Sequence, residues 1–323
     1  TNSERIDLHA EGSIYISEAG GVELGRSGLN GGGDGIDENI ELTLGSGIFS
    51  SITGLYEFDG VGTFILNSSG VLELATLVRA TDGNVAIDVD SLRDGTIDEG
   101  LLLEVRNGRL SIVATNGIGG AATDDIEIAV GELTATTVTD DVQLELSGDT
   151  SIVAEGVEVA GGSGTLSLSS PSGSLGVDAS ITHGGSGTAT LDFANGNITV
   201  NSLIEQSGSG DLLLRADNGM VLMTNVGRIN TNSGLLDLRA SDNVELSRIT
   251  STTGNIFVKS ELESVRRLSG FLVSNIVASN RPVIEVAKIA QFTVQSSAVT
   301  INGFTFFRAF GNSFISVTLI YSI

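Results

Sequence analysis

The chain contains no cysteine and no tryptophan, and only two prolines and three tyrosines, in 323 residues. Without cysteine it has no disulfides, no thiolate metal site and no cysteine nucleophile. The absence leaves the compartment open. Lysine is nearly missing as well, with Lys259 and Lys288 alone. The 16 basic residues face 40 acidic ones, for a formal net charge of −24. A nucleic-acid binder needs a basic face to neutralise phosphates, so no nucleic-acid partner is expected. Docking on anionic lipid is disfavoured for the same reason. No run of 18 apolar residues occurs, so no membrane span is expected. The chain opens on Thr1 with neither Met nor a signal peptide, as expected of a mature or excised segment. Hydrophobic residues at 40% argue against disorder. What is abundant is glycine, with 43 residues.

The charge is uneven. Residues 1–265 hold 11 basic and 39 acidic side chains, a net of −28. From Arg266 onward Arg266, Arg267, Arg281, Lys288 and Arg308 face Glu285 alone, and seven of the 12 Phe lie there. The break marks a module boundary: an acidic, Gly-rich unit over 1–265 and a Phe-rich, net-positive cap or assembly module over 266–323.

Internal repeats carry the most information. A turn-plus-strand phrase recurs at Gly108, Gly131, Gly173, Gly196 and Gly219, with apolar residues two and four positions later. Leu110 to Leu133, and Leu175 to Ile198 to Val221, are steps of 23 residues. Ile152 and Ala154 stand 23 before Leu175 and Val177, and Leu133 to Ile152 is a shorter step of 19. A second column holds Ser163-Gly164, Ser186-Gly187, Ser209-Gly210 and Ser233-Gly234, followed by Leu168, Leu191, Leu214 and Leu238. A third holds Leu203, Val226 and Ile249. Within each repeat, short period-two stretches alternate with Gly, Asn, Asp and Ser corners. Long helical patterns are absent, residues 261–268 being the best short candidate.

A sandwich gives no reason for a constant period, whereas a β-solenoid requires one. The expected fold is therefore all-β: a parallel β-helix with coils of about 23 residues and a distinct C-terminal β segment. Ten to twelve coils before residue 265 make a rod on the order of 50 Å long. Stacked Leu, Ile and Val would fill a narrow interior in which Trp and Tyr would fit poorly.

The phrase at residues 210–222, GDLLLRADNGMVL, returns at 234–246 as GLLDLRASDNVEL. These units resemble the repeats of large bacterial exoproteins of the filamentous haemagglutinin type. The likeness covers residues 100–260 well and the N-terminal third loosely, and lapses beyond 265. It implies a secreted, right-handed β-helix with an extracellular structural or adhesive role. The Asn-Pro-Asn motifs of that family's secretion domain are missing, so the chain looks like a piece of shaft or a relative exported differently.

Three acidic groups are candidates for calcium. Residues 32–40 partly match the calcium nonapeptide of repeat toxins, through Asp34 and Asp37, but Asn39 stands at the apolar position and only one copy is present. Asp88, Asp90, Asp94, Asp98 and Glu99 lack helix-loop-helix spacing and read as solvated corners. The doublets Asp124-Asp125 and Asp140-Asp141 bring together four carboxylates if the coil between them stacks them; a cation between them or plain acidic corners are both open readings. Catalysis is not expected: sugar platforms are few (Tyr15, Tyr56 and some Phe), and His9 and His183 read as surface or corner residues. Arg215 and Arg239 are spaced to stack and read as surface charge pairs with Asp217 or Asp237. Finally, Phe304, Phe306, Phe307, Arg308, Phe310 and Phe314 form a sticky segment. It is either a cap over the last coil or an assembly interface that meets the acidic shaft of another subunit, head to tail, in a fibre. A host-surface or glycan ligand is the other expected partner.

Overall fold

The computed structural model describes residues 4–9, 14–20, 22–30, 39–51, 54–58, 61–96, 100–120, 125–261, 265–267 and 284–287. These form a β-solenoid of about 10 turns, all-β and without helices, in which neighbouring coils pair in parallel. At about 4.8 Å per coil the rod is about 50 Å long.

The regular coils show why the sequence repeats as it does. One coil comprises Leu166–Ser172, Leu175–Val177 and Ile181–His183; the next comprises Ala189–Phe193, Ile198–Val200 and Leu203–Gln206. Each strand alternates buried and half-buried residues, because successive side chains of a strand point to opposite faces. Inward positions stack on like positions: Leu168, Leu191, Leu214, Leu238 and Val258 form one ladder in unbroken register. The expected glycine column is also real. A Cβ on Gly210 would fall onto the carbonyl oxygen of Gly187, and one on Gly234 onto that of Gly210. Only a residue without a side chain lets coils turn the corner at that separation.

Two expected columns are displaced. Thr150 and Ile152 pair with Leu175 and Val177, so the register there differs by two residues from the 23-residue alignment. The third column is Ile181, Ile204, Ile229 and Ile249, with Leu203 pairing with Arg228. Val226 lies in a turn closed by Gly227 N–H donating to the Thr224 carbonyl, and is 66% exposed. Corners absorb unequal numbers of residues, so a constant total period does not guarantee constant spacing at every position.

The short step from Leu133 to Ile152 marks a rebuilding of the coil. Leu110 and Ile112 stack on Leu133 and Ala135 as one straight row. Below, Leu133 pairs with Ile152 but Ala135 with Val157. Residues 153–156 bulge out, with Glu155 and Gly156 left-handed at φ 78° and 77°. One row thereby forks into two. On the other side two rows merge: Ile118 pairs with Val142, and Ile126 with Leu144, both in the single strand Val142–Ser147.

The interior is a continuous column of Leu, Ile and Val. Aromatic filler clusters in the early coils, where Phe49, Tyr56, Phe58 and Phe64 meet with Tyr56 and Phe64 ring centroids 4.7 Å apart, and recurs at the fully buried Phe193. Tyr56 is thus core, and Tyr15 alone of the two tyrosines considered as sugar platforms is exposed. The best helical candidate, 261–268, contains the strand Val265–Arg267, paired with Val244–Leu246. Parallel stacking extends to Ile284–Ala287 on Ile256–Ser260. The assembly residues Phe304, Phe306, Phe307, Arg308, Phe310 and Phe314 lie outside the described residues.

Candidate functional site

Asp34, Asp37 and Asp124 lie outside the described residues. The others are not brought together by a simple stacking of doublets. Asp141 precedes Val142, the partner of Ile118, while Asp125 precedes Ile126, the partner of Leu144. The carboxylate of Asp141 accepts hydrogen bonds from the backbone N–H and the hydroxyl of Thr165, at 2.6 and 3.0 Å, and ties adjacent coils. Asp140 is exposed, and its carbonyl accepts from the Thr137 hydroxyl at 2.9 Å. Among the described residues no group of three or more His, Asp or Glu is placed to hold a metal ion.

A different acidic group forms where the two rows merge. Glu127, in the strand Ile126–Thr137, pairs with Glu145, and its carboxyl is influenced by Asp94 and Asp125. Burial pushes Glu127 up to about 7, and the three carboxylates add to the shift against its own backbone N–H. Its Oε2 is buried without a hydrogen-bond partner. Low dielectric and like charge both disfavour the ionised form, so this carboxyl holds a proton near neutrality. Sequence reasoning singled out Asp94 and Asp125 but missed Glu127. No local motif distinguishes it; its environment is made by residues 33 positions upstream and 18 downstream in register.

Glu104, one coil earlier, has the opposite environment. Burial raises its pKa, but Arg106 and Arg79 more than offset that and leave it lowered. Arg106 Nε donates at 2.7 Å and Arg79 Nε at 2.6 Å. Beside them an open groove of about 730 Å³ crosses several coils, lined by Asn84, Arg106, Arg109, Ser111 and Glu132 among others. Carboxylates and arginines thus lie on consecutive coils in the early part of the rod.

Farther along, Asp192, Arg215, Arg239 and Lys259 pair in sequence. Arg239 donates to Asp237 through Nε at 2.9 Å and Nη2 at 2.8 Å, and its guanidinium lies 5.1 Å from the Phe257 ring centroid. The expected stacking of Arg215 on Arg239 and pairing with Asp237 are therefore found. His183, by contrast, is not a surface residue. It is 1% exposed, with Nδ1 2.6 Å from Gln206 Oε1 and Nε2 2.8 Å from the Gly164 carbonyl oxygen. Gln206 Nε2 in turn donates to the Gly185 and Gly187 carbonyls. The group satisfies corner carbonyls inside the rod, and the signal for it was the 23-residue step from His183 to Gln206 at an inward position. The side chain of His9 lies outside the described residues.

Comparison of the chain with protein-family models, with curated proteins and with solved structures finds no match.

Proposed function

We propose that the chain is a stiff structural or adhesive element of a bacterial cell surface, of the same general design as filamentous haemagglutinin-type exoproteins. The observation that carries this reading is the unbroken ladder of inward Leu, Ile and Val over successive coils, which fills the interior and leaves a long, patterned exterior. A parallel solenoid of this kind resists bending because every coil is hydrogen-bonded to the next. Its function rests on shape and charge, with a host surface or glycan as ligand and head-to-tail association through residues 266–323. Negative-stain imaging with and without calcium tests it: rods or fibres about 50 Å or more in length are expected. Fibres that persist unchanged after deletion of 266–323 exclude that segment as the joint, and globular particles exclude the rod itself.

One observation favours a polysaccharide-processing or glycan-binding reading. Glu127 near 7 and the arginine-paired Glu104 are carboxyls driven to opposite protonation states on neighbouring coils, as acid–base chemistry uses them. That reading predicts cleavage of an acidic polysaccharide such as polygalacturonate, lost in Glu127→Gln. Unchanged viscosity and no new reducing ends leave the structural reading in place.

A further inference from the structure

One outward column runs along the face built from the strands that follow Val142–Ser147. Its members, in register from coil to coil, are Glu127, Glu145, Ser169, Asp192, Arg215, Arg239 and Lys259. The acids occupy the first half and the bases the second. Like charges directly opposite one another in a ladder are destabilising, and alternation would serve a lone rod better. The segregation is therefore a cost in an isolated copy, offset in part where Asp237 pairs with Arg239 and Glu261 with Lys259 at 2.7 Å, and an advantage against a second surface of reversed polarity. The neighbouring column on this face is Gln143, Ser167, Thr190, Leu213, the buried Asp237 and Phe257, with short Ser and Thr side chains in its first half and the Phe257 ring under Arg239 at its end.

We infer that this face is a self-association surface on which two copies lie antiparallel. The two-fold axis falls between Asp192 and Arg215. It sets Asp192 against Arg215 of the second copy, and Glu145 against Lys259 of the second copy. Each pairing occurs twice, as a two-fold contact requires, and the contact closes at a dimer. Parallel packing of the same faces would bring acid to acid and base to base. Arg239 remains 45% exposed on its side chain even while paired to the buried Asp237, so it presents donors outward. Arg215 has a buried Nε without a partner in the single chain. Six steps of about 4.8 Å and strands of about five residues give a face of about 30 by 17 Å. The roughly 1,000 Å² buried in total is at the lower limit for a specific interface, so the dimer is salt-sensitive and of moderate affinity. The proposal does not depend on the adhesive reading; it concerns the rod whatever the rod binds.

Sedimentation of the full chain tests it. At about 50 mM salt and about 100 µM protein a closed dimer is expected, with affinity falling about tenfold or more by 500 mM salt. Two charge-reversed variants sharpen the test: Glu145→Lys with Asp192→Lys, and Arg215→Glu with Lys259→Glu. Each alone should be monomeric, and an equimolar mixture should form a heterodimer, because one copy then presents bases at every charged position but Glu127 and the other acids at every charged position but Arg239. Circular dichroism reports whether each variant is folded. If a reversal unfolds the chain, Glu145→Gln and Lys259→Gln replace it and should each weaken the dimer. A parent that stays monomeric at low salt, variants that dimerise as the parent does, or a mixture of folded variants that stays monomeric overturns the proposal.

Discussion

At Glu127 a single carboxyl reports on the meeting of three coils. Its ordinary value of 4.5 is pushed up to about 7 by burial, and then by Asp94, Asp125 and Glu145. The folded chain therefore binds this proton more tightly than the unfolded chain does. Between about 4.5 and about 7 the unfolded state releases the proton first, so the contribution of Glu127 to stability is lost as pH rises through that window and is constant above it. Glu127→Gln keeps the shape and removes the charge. It should stabilise the fold at about pH 8 by on the order of 1 kcal/mol, after allowance for the part of the group that water screens. It should also flatten the decline of urea midpoints between about pH 5 and pH 7. An equal decline in variant and parent would assign the titration to another group.

Elements in this molecule are defined by their phase as much as by their composition. Ile229 and Val226 are both apolar and three residues apart, and a 23-residue comb selects Val226. The strand Arg228–Thr231 instead turns Ile229 inward, onto Ile204 and Ile249. Ile229→Ala should cost about 2–5 kcal/mol, since neighbouring coils cannot collapse into the gap without breaking register. Val226→Ala should stay within about 0.5 kcal/mol. Urea denaturation of the two variants decides between the registers, and equal losses would contradict the observed one. The same reasoning explains the fork at 153–156. Three extra residues, in a bulge with two left-handed positions, convert one straight row into two without interrupting Val157, Ile181 and Ile204 on the inside.

On the scale of the whole molecule, the acidity is concentrated toward one end of the rod. Residues 1–202 carry six basic and 31 acidic side chains, whereas 203–267 carry seven and eight. The near-neutral stretch thus begins well before the composition break at 265, and it is the stretch that contributes Arg215, Arg239 and Lys259. Self-repulsion in the first coils should make stability rise with ionic strength: the melting midpoint should increase by several degrees between about 20 and 300 mM sodium chloride. Calcium that raises the midpoint beyond magnesium at equal concentration would indicate a specific calcium site; equal effects would indicate screening alone. A midpoint independent of salt would mean that repulsion is not limiting.

Sequence alone determined the solenoid. Period-two alternation sets which residues can face inward, glycine marks corners where no Cβ fits, and a repeat of about 23 residues has no other economical explanation. It also placed Leu168, Leu191, Leu214 and Leu238 in one ladder, and Arg215 on Arg239. Only the tertiary structure decided how residues divide among corners, because a coil can hold its total length while its turns lengthen and shorten. That division moved the third apolar column to Ile229, forked one row at Glu155 and merged two others beside Glu127. The properties that depend on neighbours from different coils followed from it. The buried His183–Gln206 pair, the raised carboxyl of Glu127 and the polarity of the outward column are consequences of register, which composition and spacing constrain but do not specify.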